Sequence, residues 1–332
     1  MTAQNATTEM TQVALGRSAL SVSRIAFGTW QLGGDWGATD EEAAISAIRH
    51  AREQGINFFD TAQGYGFGAS ERLLARALEG YRRDDVVIAT KGGLRPLGGS
   101  QVERDASPEW MRAGVDDSLR ALGTDYIDLL QVHWPDPKTP LAETAGALAE
   151  LVEAGKIRHV GVSNFSTEQM DEFSRTLAVE TLQPPYHIFH RDIETDILPY
   201  ATAHDIGVLV YGPLAHGLLS GHLHTDTRFS PGDWRSHSRD FQGRAFARNL
   251  RVVAALEQLA NQELGVPVSR LAVAWTLANP AVDVAIIGTR NPEHVDDAIA
   301  AADLELTDDV LHRIDEIAWD SAHVAGPRPE GM

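Results

Sequence analysis

The sequence predicts a closed (β/α)8 TIM barrel, and three observations lead there. Short β-branched or apolar runs alternate along the chain with longer stretches of 3.6-residue periodicity, an order that implies parallel strands joined by crossover helices. Eight such runs occur, the number that closes a barrel. No composition break, long Pro/Ser-rich linker or charge block divides the 332 residues, so one domain over 1–332 is expected rather than two open sheets.

Taken in order, "TQVALGRSALSVS" (11–23) reads as an N-terminal β-hairpin able to cover the barrel's bottom. The first strand is "RIAFG" (24–28), and the helix "DEEAAISAIRHAREQG" follows, announced by Thr39 and Asp40 before Glu41 and Glu42. "NFFD" (57–60) and "VVIATK" (86–91) are the second and third strands, with "SERLLARALEG" between them. The helix "SPEWMRAGVDDSLRALG" starts at Ser107 with Pro108 in its first turn. It leads to "YIDLLQVHW" (126–134), "LAETAGALAELVEAGK", "HVGVSN" (159–164), "STEQMDEFSRTLA" and "TLQPPYH" (181–187). "ETDILPYATAHDIG", "GVLVYGPL" (207–214), "ARNLRVVAALEQLANQELG" and "VDVAIIG" (282–288) complete the alternation. Gly55, Gly80, Gly123, Gly155, Gly207 and Gly265 are expected to end helices. Residues 215–243 are too long for an ordinary connection and form a long loop after strand 7. Carrying Phe229, Trp234 and Phe241, this loop is expected to act as a mobile lid.

Composition narrows the function. The formal charge is −19, from 28 basic and 47 acidic residues, so phosphate backbones and anionic lipid are repelled and neither nucleic acid nor a membrane is expected as a partner. The absence of cysteine excludes disulfides, thiolate metal sites and cysteine nucleophiles. "MTAQNATTEMTQ" has neither a basic nor an apolar signal region, and no 18 apolar residues run together, so a soluble cytoplasmic protein is expected.

Gly64, Gly66 and Ala69 satisfy G-x-G-x-x-A between "INFF" and a helix, the context of a dinucleotide-binding turn. Such a turn needs an acidic residue about 20 residues on, at the end of the next strand. That strand ends in Thr90 and Lys91, whereas Asp84 and Asp85 precede it, so the glycines are read as shaping a loop beside Tyr65.

Polar residues at the strand ends are the stronger signal, because these ends share one rim of a parallel barrel. Asp60 ends the second strand, Lys91 the third, His133 closes the fourth, and Tyr65 follows Asp60 by five residues. Singly, they suit a cap, a surface lysine, a core histidine and a packing aromatic. Together on one rim they suit a site, since buried ionisable groups are costly unless paired with one another. A phenol with a reference pKa of about 10 needs its phenolate stabilised to act as an acid; the lysine ammonium is expected to do so, and the carboxylate to hold the lysine charged. With histidine contacting a polarised oxygen, such a set protonates a carbonyl oxygen while hydride reaches the carbon. His216, His222 and His224 offer H-x-H spacing, but no carboxylate cluster is aimed at them, and no metal is expected.

The segments "FGTWQLGG", "FFDTAQGYGFGASERLL", "ATKGG", "DLLQVHWPD", "GKIRHVGVSNFS", "YGPLAHGLLSG" and "IIGTRNPEHVDDA", in this order, resemble the successive motifs of the aldo-keto reductase superfamily over essentially the whole chain. The sequence looks most like the bacterial branch related to general-stress and inositol-operon reductases and, more distantly, like potassium-channel β-subunits. The resemblance implies NADPH-dependent reduction of an aldehyde or ketone by the tetrad Asp60, Tyr65, Lys91 and His133, with Tyr65 as proton donor; a slow nucleotide-binding regulatory subunit is the alternative. It implies that Ser163, Asn164 and Gln183 hold the nicotinamide carboxamide, that Tyr211 stacks on the ring, and that Gly212, Pro213, Leu214, Leu218 and Ser220 wrap the pyrophosphate. Thr29, Trp30, Asp60, Gly288, Thr289, Arg290, His294 and Asp297 complete the implied cofactor site, and Trp30, Tyr65, Trp134 and Trp234 the substrate pocket. The adenine end departs from the pattern: Ile287 replaces a proline, His294 stands at a glutamine position and Ala298 at an asparagine position. Arg290 is retained, and its planar cationic fork suits a 2′-phosphate, so NADP(H) is expected over NAD(H).

Overall fold

The computed structural model describes residues 10–37, 39–98 and 101–329. Strands β1 (Gln12–Leu15) and β2 (Leu20–Ser23) form the expected hairpin. Eight strands then close in chain order: β3 (Ile25–Gly28), β4 (Phe58–Asp60), β5 (Val87–Gly92), β8 (Ile127–Val132), β9 (Ile157–Ser163), β10 (Thr181–Gln183), β11 (Gly207–Tyr211) and β12 (Val284–Ile287). All eight pairings are parallel, including the closing pair of β12 with β3.

Helices α1 (Glu41–Glu53), α2 (Ala69–Ala77), α3 (Pro108–Leu122), α4 (Leu141–Glu153), α5 (Thr167–Ser174), α6 (Ile197–Ala203), α7 (Gly243–Leu259), α8 (Val268–Ala278) and α9 (Pro292–Ala302) surround the strands, with α10 (Asp308–Ala318) behind them. Their starts follow local chemistry. Asp40 accepts the Ala43 N–H, Ser107 that of Trp110 with Pro108 in the first turn, and Ser166 with Gln169 makes a reciprocal capping box.

Several expected elements are corrected. Gly207 does not end a helix; it opens β11 and lies against the backbone of Leu15 and Gly16 in the hairpin. The helical stretch before it shortens to α6, preceded by one 3-10 turn at Asp192–Glu194. The sixth strand stops at Gln183, because Pro184 and Pro185 have no N–H to continue a ladder. A second hairpin, β6 (Leu94–Gly98) with β7 (Gln101–Arg104), stands outside the barrel where no strand was expected. Residues 215–243 fold into short 3-10 turns, with Trp234 and Phe241 buried. The polar stretch at 1–9 lies outside the described residues.

Candidate active site

Strand periodicity places the site. Side chains two apart on a strand share a face, so the residue two beyond an inward apolar one points into the barrel's mouth. Phe58 is followed in this way by Asp60, Ala89 by Lys91, Leu129 by Gln131 and His133, and Leu209 by Tyr211; the apolar members pack together inside the barrel. The intervening residues, such as Phe59, Ile88 and Leu130, face the helices in the outer core. The same step from Gly161 and Thr181 reaches Ser163 and Gln183, which pair in register at the ends of β9 and β10.

Lys91 Nζ lies at the centre, 1% exposed, donating to Asp60 Oδ2 at 2.6 Å, to the Thr61 carbonyl at 2.9 Å and to Tyr65 Oη at 3.3 Å. The other Asp60 oxygen accepts from Gln183 Nε2 at 2.8 Å. Tyr65 reaches this cluster through a tight turn. Gly66 has φ +65, and a Cβ there would come within 2.6 Å of the Gly33 carbonyl oxygen, so the G-x-G pattern shapes the tyrosine loop. The His133 ring stands edge-on to the Tyr65 ring, 5.7 Å between centroids. Its Nδ1 is buried without a hydrogen-bond partner, and the residue lines the cavity described below.

Burial governs the protonation states. It holds the His133 imidazole well below its ordinary range, helped by the Lys91 charge, so this ring is neutral. It also lowers Lys91, against which Asp60 acts to keep the ammonium charged. Tyr65 moves opposite to the expectation: burial first, then the Asp60 carboxylate, pushes its phenol well above 10. Burial is the main cause and the Asp60 carboxylate adds to it, while the ammonium makes its short contact with Asp60 and only a longer one with Tyr65. The resting phenol therefore keeps its proton.

A cavity of about 450 Å³ opens from this cluster. Asp60, Tyr65, His133, Ser163, Asn164, Gln183 and Tyr211 line its deep end, with Trp30 and Trp134 beside them. Gly212, Pro213, Leu214 and Ser220 line its course, and Gly288, Thr289, Arg290 and His294 its far end, where Thr289 Oγ1 lies 3.1 Å from His294 Nδ1. Other expected residues do not line it. Thr29 is fully buried and bonded to Ser70 and the Asp60 carbonyl, and Leu218 is in the core. Asp297 turns to α8, bonded to Ser269 and Arg270. Trp234 stands behind the wall, stacked on Trp30 at 6.0 Å. The three loop histidines do not converge: His216 sits among Trp30, Trp234 and His187, His222 stacks on His294, and His224 lies in an exposed turn.

Residues that the sequence did not indicate complete the walls. Trp36 and Arg235 line the cavity, with the guanidinium 4.5 Å above the Trp36 ring and paired to Asp233. Asp35 accepts from Trp30 Nε1 at 3.2 Å and fixes that indole. Ala325, Gly326 and Pro327 of the C-terminal tail form another wall. Gly326 has φ +74, and a Cβ there would meet His216 Nε2 at 2.4 Å, so only glycine lets the tail lie this close.

The model of the aldo/keto reductase family matches residues 24–318 of this chain. The chain belongs to that family. It is 45% identical over 285 residues to the aldo-keto reductase YhdN of Bacillus subtilis, covering 85% of this chain and 86% of the relative. It is 35% identical over 318 residues to an NADH-specific methylglyoxal reductase of Escherichia coli, with 90% and 95% covered, and 33% identical over 323 residues to a probable voltage-gated potassium channel subunit beta of Arabidopsis thaliana, with 91% and 95% covered. Among solved structures, the glycerol dehydrogenase AKR11B4 from Gluconobacter oxydans superposes with a TM-score of 0.84 at 40% identity, covering 97% of this chain and 98% of that one. The chain is thus an oxidoreductase of the aldo-keto reductase type. No helix among the described residues is long and apolar enough to cross a membrane.

The family's nicotinamide cofactor finds suitable donors here. Asn164 sits in the left-handed region at φ 62, and its amide gives Nδ2 to the His133 carbonyl at 3.1 Å and to Ser163 Oγ at 2.9 Å, and takes the Tyr211 hydroxyl on Oδ1 at 2.9 Å. Ser163 Oγ in turn donates to the Gln183 carbonyl at 2.7 Å. Asn164, Ser163, Gln183 and Tyr211 thus form one linked polar set on the cavity lining, which also includes the Arg290 guanidinium, so amide, hydroxyl and cationic groups of the kinds a nicotinamide dinucleotide requires are present.

Proposed function

We propose that this aldo-keto reductase reduces an aldehyde or ketone with NADPH, Tyr65 giving the proton and Ser163, Asn164, Gln183 and Tyr211 orienting the nicotinamide. The observation that carries the proposal is the Lys91 ammonium held between Asp60 and the Tyr65 hydroxyl at the floor of the cavity. When bound, the cofactor supplies hydride to the carbonyl carbon. Neutral His133 donates from Nε2 to the carbonyl oxygen and fixes it near Tyr65 Oη, and the phenol passes its proton to that oxygen. The charge left on Tyr65 forms beside Lys91, in a buried setting where one ammonium counts for far more than in water. Trp30, Trp36 and Trp134 line the substrate side and favour apolar or aromatic substituents. For the cofactor, Arg290 at the far end supports a 2′-phosphate and hence NADPH, although one relative is named NADH-specific.

A panel of aldehydes and ketones, assayed with NADPH and with NADH by absorbance of the reduced nicotinamide, tests the reaction. Tyr65→Phe keeps the ring and removes the proton, so kcat should fall at least ~10²-fold with cofactor affinity little changed. Near-normal turnover in this variant would remove Tyr65 from the mechanism.

A further inference from the structure

Away from the cavity, His190, Asp192 and His323 bring three donor atoms within 4.8 Å of one another, the one such set of metal-ligating side chains among the described residues. We propose that they bind a divalent transition-metal ion of the zinc class, which clamps the C-terminal tail to the turn at 187–192 and so holds one wall of the cavity in place.

The spacing suits such an ion. Asp192 Oδ2 is 3.3 Å from His323 Nε2 and 3.7 Å from His190 Nε2. Ligands about 2.0–2.1 Å from a tetrahedral ion stand roughly 3.3–3.4 Å apart, so two edges of the site are nearly formed, and the third is no longer than 4.8 Å. The side chains that must move are the free ones: Asp192 is 74% and His323 48% exposed, whereas His190 is 13% exposed. His190 is also anchored, since its backbone and that of His187 exchange hydrogen bonds at 2.8 and 3.3 Å. Two imidazoles and one carboxylate select zinc and its neighbours over calcium or magnesium, which take all-oxygen shells. Arg191, next in sequence to both His190 and Asp192, is directed to Glu194 and Asp315.

The tail gives the site its consequence. Asn249 brackets Ala322 through two hydrogen bonds, Val324 donates to the Phe189 carbonyl at 3.1 Å, and Ala325, Gly326 and Pro327 then line the cavity. His323 lies within this run, so an ion on it cross-links the wall to the barrel rim independently of those weaker ties.

The test is calorimetric titration of zinc into the metal-stripped full chain, without cofactor or carbonyl, which separates it from the proposed reaction. One ion per chain is expected, bound at least ~100-fold more weakly by His323→Ala and by Asp192→Asn, since losing a ligand costs no less than losing a residue that merely supports one. Both side chains are exposed, and the metal-free variants should unfold at the temperature of the parent. Amide exchange across 322–329 should slow with zinc in the parent and not in the variants. Absence of stoichiometric binding, or equal affinity in parent and variants, overturns the site and leaves a histidine–aspartate ion pair only. Binding with unchanged tail exchange overturns the clamp.

Discussion

Replacing Lys91 with methionine removes the cation and leaves the buried carboxylate it serves. Nζ gives its protons to Asp60, Thr61 and Tyr65, and Asp60 itself is only 3% exposed. Methionine fills much of the lysine's volume, so packing changes little; the loss is electrostatic. Asp60 is then held by Gln183 Nε2 at 2.8 Å. Breaking a buried pair from one side costs about 3–5 kcal/mol. With an unfolding entropy of about 2.1 cal/mol/K per residue, the 332 residues give roughly 0.7 kcal/mol/K, so Tm should fall by about 4–7 °C. Asp60→Asn combined with Lys91→Met leaves no buried charge and should recover most of the loss. Urea and thermal unfolding of the parent, the single and the double variant measure all of this. A single variant within ~1 kcal/mol of the parent, or a double variant no more stable than the single, would refute the electrostatic account.

Arg290→Ala should weaken NADPH by about 1.5–3 kcal/mol and NADH much less, as fluorescence titration of both cofactors reports; equal weakening would mean that the guanidinium does not read the phosphate. Acid should destabilise the fold through its buried histidines: His216 is held down to about 3, so between the unfolded value near 6.5 and that pKa the unfolded chain binds the extra proton and stability drops by about 1.4 kcal/mol per pH unit. His216→Asn should flatten denaturant-measured stability between pH 6.5 and 5 by that slope, and an unchanged slope would assign the acid loss to other groups. Residues 215–243 should show slower amide exchange once NADPH is added, closing over the cavity as a lid; slow exchange in both states would instead make the segment a fixed flank.

The site was legible because strands impose a period of two. Phe58 with Asp60, and Ala89 with Lys91, are two-residue steps from core to mouth, and a parallel barrel gathers all such steps on one rim. What escaped the sequence lacked a pattern. Helix α8 is buried along Leu271–Leu277, so its run shows no polar face to set a helical period. The β6–β7 hairpin is largely exposed at Arg95–Gly98 and has no apolar alternation. The resemblance assigns Asp297 to the cofactor, but Ser269 and Arg270 of α8, a helix with no legible pattern, capture it instead. The tail's place in the cavity wall depends on Gly326 meeting His216, a contact between residues 110 positions apart that no local propensity encodes. The Tyr65 shift escaped for a different reason: residue types predict which charges meet, whereas the burial that dominates the shift is set only when the chain folds.

The barrel's interior is filled by one column of side chains, from Leu15 and Val22 of the hairpin through Ala26, Phe58, Ala89, Leu129, Leu209 and Val284 to Ile286, with Tyr211 packed against its top. Ile286 and Tyr211 are also cavity lining, so the column's top is the cavity's floor, with no backbone layer between them. The strand walls insulate this column from the larger core beneath the helices. Volume changes in the two cores are therefore felt in different places. A methylene removed under a helix leaves its void away from the cavity, whereas one removed at Leu129 or Leu209 leaves it in the column against which Tyr211 packs. Selection for altered carbonyl preference then has a route that touches no residue in contact with the substrate, and its hits should fall at inward positions far down the strands.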